Sequence, residues 1–301
     1  MKFAYPVFLG ALLAASQPAF ANIDVKFDYR YDSSGFFTGA NSSRQNLLNA
    51  AASVFETRFQ DSLTAITPSA SNTFNASFFQ PDTGTVTHLP GLSVAADQIV
   101  VFVGAYNLGG TLAIGGPGGF SVNGSPDFIS NASSRGQAGA VAPIETDFGP
   151  WGGAISFNSA SSWYMDPNPK TDESFSGFDF YSVAIHELAH VLGFGSAASF
   201  ENLSSGGLFT GPAVNALLGH NAPLTSDGGH WASGLSYLGQ EVAMDPSIAS
   251  GQRKPFTELD YAAMKDIGWN VSPIPEAETW AMMLAGLGLL GWRLRTYRHR
   301  G

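Results

Sequence analysis

The sequence predicts an α+β fold, in which several strands form a sheet, long helices pack on it and a further helix lies near the C-terminal end of the domain. Residues 23–31 alternate apolar and polar side chains, which is the period of a strand with one buried face. Residues 43–59 place apolar side chains at helical spacing, so we expect a long helix packed on the sheet. The continuous apolar run 98–103 is typical of a central strand covered on both faces.

Composition narrows the classes of function. With 44% hydrophobic and 13% charged residues, the 301-residue chain has too much apolar surface to remain disordered. Its 24 Asp and Glu outnumber 14 Lys and Arg. This balance argues against nucleic acid as a partner, because phosphate binding needs clustered basic residues. The absence of cysteine excludes disulfides, thiolate metal sites and a cysteine nucleophile.

The N-terminal residues resemble a secretory signal peptide. Lys2 precedes the apolar run 8–15 and the small-x-small triplet 19–21, after which cleavage is expected. A membrane anchor is the alternative, but the run is shorter than the roughly 20 residues that a spanning helix needs. The expected segments are a signal peptide over 1–21, a folded domain over 22–273 and a C-terminal signal over 274–301.

The C-terminal signal combines Pro275-Glu276, an uncharged stretch over 280–292 and four arginines beyond it. Physically, this is a short segment for membrane insertion that positive charge stops. The order resembles the PEP-CTERM sorting tail of Gram-negative bacteria, although Ala277 stands where proline is usual. The resemblance implies transient membrane insertion, an exosortase-type partner and a final location at the cell surface or outside the cell. A permanent anchor is the alternative, for which the stretch is short.

Three other segments have interpretable patterns. Residues 104–139 are rich in Gly, Asn and Ser without a clear period, so a surface loop is expected there. Residues 152–158 alternate and predict a half-buried strand, which we place at a sheet edge. Thr257 and Asp260 resemble a capping box, and the apolar stripe after them predicts a helix that ends at Gly268.

The strongest chemical pattern lies in a predicted helix that Asp179 can cap. It contains HExxH, in which His186 and His190 are four residues apart and therefore project from one helix face, where both can bind one Zn²⁺. Glu187 lies beside the first histidine, so its carboxylate can take a proton from a zinc-activated water. The alternative is that two surface histidines and a solvated glutamate have this spacing by chance. With only six histidines in the chain, a chance HExxH is improbable.

Residues 186–194 resemble the HExxHxxG active-site helix of the metzincin zinc metalloproteases. The resemblance implies a metzincin-like catalytic domain of the leishmanolysin or matrixin type, with zinc on His186 and His190 and with Glu187 as general base. It also implies a mixed, twisted sheet with two long helices in an N-terminal lobe, and a mostly irregular C-terminal lobe that ends in a helix. In the commoner members a third ligand follows three residues after the glycine, but Ser196 occupies that position here. The leishmanolysin-like branch instead takes its third histidine from a distant segment.

Three histidines are available as the distant ligand: His88, His220 and His230. Residues 242–246 resemble the Met-turn that lies beneath the zinc in metzincins, and the predicted C-terminal helix follows them. The family order of histidine, Met-turn and helix favours His230 as the third ligand. His220 is the alternative, although it follows a predicted helix end and can simply cap it.

These features predict an exported zinc endopeptidase that binds a protein or peptide substrate along the strand at 155–158. The alternative is a non-catalytic surface or biofilm-matrix binding protein on the same scaffold. Retention of Glu187 favours the enzyme, because a structural metal site needs no base. A metallohydrolase of non-peptide amides is a third hypothesis. The acidic loop 166–173 is also a candidate for Ca²⁺, although its spacing matches no EF-hand.

Overall fold

The computed structural model describes residues 22–171 and 173–273. The expected signal peptide over 1–21 and the C-terminal signal over 274–301 lie outside these ranges. Within them, no helix has both the length and the apolar character needed to cross a membrane.

In chain order the strands are β1 Asp24–Asp28, β2 Thr73–Phe79, β3 Val86–Pro90, β4 Gln98–Tyr106, β5 Ala113–Pro117, β6 Gly119–Asn123, β7 Gly152–Asn158, β8 Trp163–Tyr164, β9 Phe178–Asp179, β10 Ser204–Ser205, β11 Leu208–Phe209, β12 Ala222–Pro223, β13 Ser236–Tyr237 and β14 Gln240–Glu241. The α-helices are α1 Arg44–Glu56, α2 Pro126–Ser134, α3 Phe180–Val191, α4 Ala198–Glu201, α5 Pro212–Leu218 and α6 Glu258–Asp266, with 3₁₀ turns at Gly39–Asn41 and Ala138–Val141.

A mixed four-stranded sheet in the order β1-β4-β7-β5 forms the centre of the fold. The first three strands are parallel and β5 is antiparallel to β7. The mixed α+β class and the central position of the strand predicted over 98–103 are confirmed. Strand β7 was expected at an edge, and that prediction is wrong: it lies between β4 and β5 and is buried along its whole length.

The glycine-rich segment 104–139 is not the surface loop that its composition predicts. It forms β5, β6 and α2, and β5 covers the edge of β7. The glycines serve close packing, because a Cβ at Gly118 would overlap the Trp151 ring and a Cβ at Gly153 would overlap the carbonyl of Gly116. Glycine therefore marks tight contacts between neighbouring strands here, where sequence reasoning takes it as a sign of a loop.

The central sheet is covered on both faces. Helices α1 and α3 pack on one face in the larger hydrophobic core, with Leu48 and Phe55 of α1 fully buried. The three-stranded sheet β3-β2-β6 and helix α2 pack on the other face around Phe102 and Trp151. The helix predicted over 43–59 is confirmed but ends at Glu56, and Phe59 instead forms a bridge with Val271.

The residues after α3 form short strands and helices, in agreement with the irregular C-terminal lobe that the sequence predicts, and they end in α6. The predicted capping box is present: the Thr257 hydroxyl accepts from the Asp260 N–H, and the Asp260 carboxylate accepts from the Thr257 N–H. Gly268 follows the helix end with φ +118°, a conformation that favours glycine.

Residues 58–61 hold both ends of the described domain. The N–H of Ile23 donates to the Phe59 carbonyl, and the Arg58 guanidinium donates to the Ser272 carbonyl at 2.9 Å. The Asp61 carboxylate accepts the N–H of Asn270 at 3.0 Å. Asp61 is only 7% exposed, and this burial raises its pKa to about 6.

Asp61→Asn is expected to stabilise the protein at neutral pH. In the folded state Asp61 keeps its proton up to about pH 6, whereas the unfolded chain releases it near the ordinary value of about 3.9. The folded state therefore binds more protons in this window, and stability falls as pH rises from about 4 to 6. The asparagine removes this loss, which is on the order of 3 kcal/mol. Thermal unfolding from pH 4 to 7 measures this loss of stability.

Glu201→Gln, which removes an exposed acid, is the control. A difference from wild type that stays constant over this range would contradict the assignment.

Candidate metal centre

Helix α3 begins at a fixed N-terminus. The Asp179 carboxylate caps it by accepting from the Ser182 N–H at 3.2 Å and the Ser182 hydroxyl at 2.6 Å, which confirms the predicted cap. The Arg253 guanidinium pairs with both oxygens of Asp179, at 3.0 and 3.1 Å, and with Asp166 at 2.6 Å. Gly193 follows the helix end with φ +105°. These contacts therefore hold the N-terminal end of α3, which precedes its histidines, to the C-terminal lobe.

His186 and His190 face each other along α3, with their Nε2 atoms 3.1 Å apart. The Nδ1 of His186 lies 2.8 Å from the Ala243 carbonyl, and the Nδ1 of His190 lies 2.9 Å from the Phe194 carbonyl. A carbonyl oxygen only accepts hydrogen bonds, so each Nδ1 carries the proton. In the neutral rings, both Nε2 atoms therefore present lone pairs to the same point.

His230 brings a third Nε2, which lies 3.1 Å from that of His190. Two backbone contacts hold its loop: the Trp231 N–H donates to the Met244 carbonyl at 3.0 Å, and Gly229 lies against Gly195 so closely that a Cβ on Gly195 would overlap the Gly229 carbonyl. The Nδ1 of His230 is buried without a hydrogen-bond partner in the described part of the chain. The main chain of His230 also bonds to Thr225, whose N–H donates to the His230 carbonyl at 3.0 Å and whose hydroxyl accepts the His230 N–H at 3.2 Å. Main-chain contacts therefore position this ring, and no hydrogen bond to its Nδ1 does so among the described residues.

The three imidazoles have the donor chemistry of a divalent cation site. One nitrogen from each lies within 4.8 Å of the others, and they form the one such group of three found among the described residues. Nitrogens bound to a tetrahedral ion at 2.0–2.1 Å would be about 3.3 Å apart, close to the 3.1 Å separations here. Burial lowers the pKa of all three histidines, that of His190 to about 4, so the rings are neutral at pH 7.

The other two candidate ligands lie elsewhere. His220 is exposed just after α5, with its Nδ1 2.8 Å from the carbonyl of the adjacent Asn221. His88 is exposed on β3. Of the histidines considered as the third ligand, the fold brings only His230 to the pair on α3, and Ser196 instead donates its hydroxyl to the His190 carbonyl.

Glu187 lies beside this triad and is 6% exposed. Burial raises its pKa to about 8, and the nearby backbone N–H of Gly115 opposes the shift. No side chain in the described ranges hydrogen-bonds to its carboxylate. The triad and Glu187 open into a cleft of about 830 Å³. Its walls are the segment 109–115, one face of α3, the residues 195–196 and 245–248, and the side chains of Ser161, Phe178, His230, Ala243 and Lys254.

Strand β5 is the edge strand beside this cleft, in the position expected for residues 155–158. Leu112 accepts from the Asn158 N–H, and Gly118 donates to the Gly152 carbonyl, so the even-numbered positions face β7. Because hydrogen bonding alternates along an antiparallel pair, the N–H and C=O groups of Ala113 and Gly115 face away from β7. Sequence reasoning missed this strand, because its glycines and its lack of a clear period predicted a loop.

A buried carboxylate supports the turn beneath the histidines. Asp260 accepts from the backbone N–H groups of Ala243 and Met244 at 3.1 and 3.3 Å, and from the Trp231 indole at 2.9 Å. Burial raises its pKa, and these hydrogen bonds oppose the shift. Sequence reasoning assigned Asp260 to helix capping alone, because its two other partners are distant in sequence. Met244 is fully buried, as expected for the Met-turn-like segment.

A second polar cluster lines the cleft and was missed by sequence reasoning. The ammonium of Lys254, almost fully buried, lies 2.9 Å from Glu241 and 3.2 Å from Asp245. Asp245 also accepts from the Gly234 and Ser247 N–H groups. These contacts fix the segment that follows the Met-turn-like residues as one wall of the cleft. No sequence pattern reveals this role, because Glu241 is 13 residues from Lys254.

The acidic loop 166–173 gives no support to a calcium site. The Asp166 carboxylate pairs with Arg253 and accepts the Asn168 N–H, so its oxygens already have partners. Within the described ranges, no acidic residue belongs to a group that could hold a metal ion. The Arg253 guanidinium therefore supplies the positive charge beside Asp166 that a calcium ion would otherwise supply.

Comparison with known proteins identifies the C-terminal end of the chain. Residues 273–298 match the PEP-CTERM protein-sorting motif. This confirms the predicted sorting signal and indicates an exported protein that is sorted at its C-terminus to the cell surface, with an exosortase as the recognising enzyme. No curated protein and no solved structure matches the chain significantly. The resemblance to metzincins and the signal peptide therefore stay predictions.

Asp260→Asn is expected to lower both zinc affinity and thermal stability. Its amide would turn N–H donors toward backbone N–H groups that now have an acceptor, and each unsatisfied buried donor costs about 1–3 kcal/mol. Asp266→Asn is the matched control, because Asp266 also lies on α6 and accepts two backbone N–H groups, those of Ala213 and Val214. Calorimetric zinc titration and thermal unfolding test both variants. Equal zinc affinity in the two would contradict the supporting role of Asp260.

Gly195→Ala is expected to weaken zinc binding at least about tenfold by displacing the His230 loop from α3. The added Cβ would overlap the Gly229 carbonyl. Gly219→Ala controls for backbone strain, since Gly219 has a similar φ of +75° against +67°, but a Cβ there meets nothing within 4 Å. Competition with a chromogenic chelator measures the two affinities. If both variants bind zinc equally, the Gly195–Gly229 contact does not position His230.

Proposed function

We propose that this protein is an exported zinc endopeptidase, in which Glu187 is the general base for peptide-bond hydrolysis. One observation carries the proposal: the Nε2 of His190 lies 3.1 Å from the Nε2 atoms of both His186 and His230, beside a buried carboxylate and in a cleft open to substrate. Two of the facing Nε2 atoms carry lone pairs, and such an arrangement is repulsive unless a cation lies between them. The donor set thus fits a metal on chemical grounds.

His186, His190 and His230 would hold the zinc. Three protein ligands are typical of catalytic zinc sites, which keep a position for water or substrate, whereas structural sites use four. Bound zinc supplies Lewis acidity, which polarises a carbonyl and lowers the pKa of water toward roughly 7. The carbonyls of Ala243 and Phe194 keep the Nδ1 protons in place, so the ligand nitrogens remain available without any change of tautomer.

Glu187 would accept a proton from the attacking water and pass it to the leaving amine. Its position next to His186 puts its carboxylate at the triad, and its burial favours a pKa closer to neutrality, where a base accepts and returns protons efficiently. A purely structural metal site does not need a base, whereas the buried carboxylate of Glu187 has no side-chain partner among the described residues to explain its presence. This feature favours an enzyme over the binding protein.

An extended peptide would bind along the free edge of β5. The outward N–H and C=O groups of Ala113 and the outward C=O group of Gly115 offer backbone pairing, which selects for an extended chain with little regard to its sequence. The cleft of about 830 Å³ has room for several residues. On the opposite wall the ammonium of Lys254 is shared by the carboxylates of Glu241 and Asp245, so that wall presents no unpaired positive charge to the substrate.

The second candidate function is a non-catalytic surface or biofilm-matrix protein that uses the cleft for binding. The sorting motif at 273–298 favours this alternative, because it directs the protein to the cell surface, where binding proteins also act. Zinc stoichiometry does not separate the two functions, since both can retain the metal. Cleavage of a protein substrate does.

The test measures zinc content and casein cleavage of residues 22–273. Wild type is expected to bind one zinc and to lose activity on chelation. Glu187→Ala should keep its zinc and lose about 10²- to 10⁴-fold in activity. His230→Ala should bind zinc more weakly, whereas the matched His220→Ala should resemble wild type in both measurements.

Other outcomes have defined meanings. Zinc-free wild type would reject the metal centre, and unchanged zinc affinity in His230→Ala would reject His230 as the third ligand. Zinc-loaded protein that cleaves neither casein nor a mixed peptide library would favour the binding function. Retained activity in Glu187→Ala would remove Glu187 from the mechanism while leaving the metal assignment intact.

A further inference from the structure

Gly115 of β5 lies directly against α3 at Glu187. A Cβ built on Gly115 would be 2.6 Å from the Glu187 carbonyl oxygen, 2.8 Å from its Cβ and 2.9 Å from its carboxylate Oε2. Real Cβ atoms do not approach other atoms so closely, and two of these neighbours cannot rotate away. Gly115 has no positive φ, so its backbone conformation is open to any residue. The contact with Glu187 is what requires glycine.

The backbone of Gly115 also faces the Glu187 carboxylate. Its N–H group points away from β7, as the alternation along the β5–β7 pair requires, and it lies near enough to the Glu187 carboxylate to oppose the rise in its pKa that burial causes. No side chain in the described ranges shares this role. The strand edge and the absence of a side chain at position 115 together set where the carboxylate lies relative to the histidine nitrogens.

We propose that Gly115 is a positioning residue for Glu187, because its N–H orients the carboxylate and its missing side chain lets β5 approach α3. The inference rests on the proposed function and adds to it a residue from the opposite side of the cleft. A methyl group at this position pushes β5 away from α3 and displaces the carboxylate. The three histidines lie on other supports, namely the Ala243 and Phe194 carbonyls and the packed Gly195–Gly229 contact, so metal binding survives.

The neighbouring glycine provides a matched control. Gly116 lies in the same strand and also lacks a positive φ. A Cβ on Gly116 meets only the Phe79 ring, at 4.0 Å, which is ordinary van der Waals contact. Gly115→Ala and Gly116→Ala therefore make the same chemical change at adjacent positions, one against Glu187 and one away from it.

Peptidase kinetics of the purified protein test the proposal. Gly115→Ala should lower kcat about 10²-fold, because a displacement of about 1 Å of a catalytic group has an effect of that size. KM should change less than kcat, because Ala113 keeps its outward groups for substrate pairing. Gly116→Ala should match wild type. Both variants should bind one zinc, and after cobalt substitution both should give the wild-type visible absorption spectrum, which reports the three histidine ligands. Thermal unfolding shows whether each variant is folded.

A measurement on metal-free protein tests the contact between Gly115 and Glu187 without relying on activity or on the folding of Gly115→Ala. In ¹H–¹⁵N spectra, the Gly115 amide proton should move upfield in Glu187→Ala, since it loses its carboxylate acceptor, whereas the Gly116 amide proton should not move. An unchanged Gly115 amide would overturn the proposal, even if Gly115→Ala proved to be unfolded.

The outcomes separate this inference from the proposed function. Wild type that cleaves peptides while Gly115→Ala equals Gly116→Ala in kcat would overturn the positioning role alone. Wild type that binds zinc and cleaves nothing would overturn the proposed function, and the positioning role with it. A loss of zinc or an altered cobalt spectrum in Gly115→Ala would overturn the proposal as well, because the effect would then act on the histidines.

Discussion

The buried carboxylate of Asp260 joins the parts of the C-terminal lobe that support the histidine triad. Its oxygens accept from the N-terminus of α6, from the turn at Ala243 and Met244, and from the Trp231 indole. Burial of this charge is unfavourable by itself, and the surrounding donors offset it. The turn at Ala243 orients His186, and Trp231 directly follows His230. One carboxylate thus supports two of the three imidazoles from a position that none of them touches.

The three histidines reach the same point by different means. Helix geometry places His186 and His190, and main-chain carbonyls of two other residues orient their rings. Each ring is therefore held both by its helix and by a hydrogen bond at Nδ1. His230 has no partner for its Nδ1 among the described residues and depends on main-chain contacts, namely its hydrogen bonds with Thr225 and the close approach of Gly195 to Gly229. The third ligand is therefore held through its backbone, which makes its position sensitive to small changes in volume where Gly195 meets Gly229.

The sequence revealed those parts of the site that depend on neighbouring residues. The HExxH spacing, the Asp179 cap and the capping box of α6 each involve residues three or four positions apart, and all three are present. The histidine at position 230 could be chosen over His220 only through a resemblance in chain order, because 40 residues separate it from His190. The second role of Asp260 left no local pattern, since the Trp231 and Ala243 groups that it binds are distant in sequence.

The glycine-rich segment shows why composition misled at one point. Glycine is depleted in strands because it lacks a side chain to pack, so a segment with many glycines and no period predicts a loop. In this fold the missing side chains are the reason that the strand can form: Gly115 approaches Glu187, and Gly118 approaches the Trp151 ring. Whether such a segment is a loop or an edge strand depends on partners such as β7, about 40 residues away. The same glycines that concealed β5 in the sequence allow its backbone to lie against the proposed catalytic base.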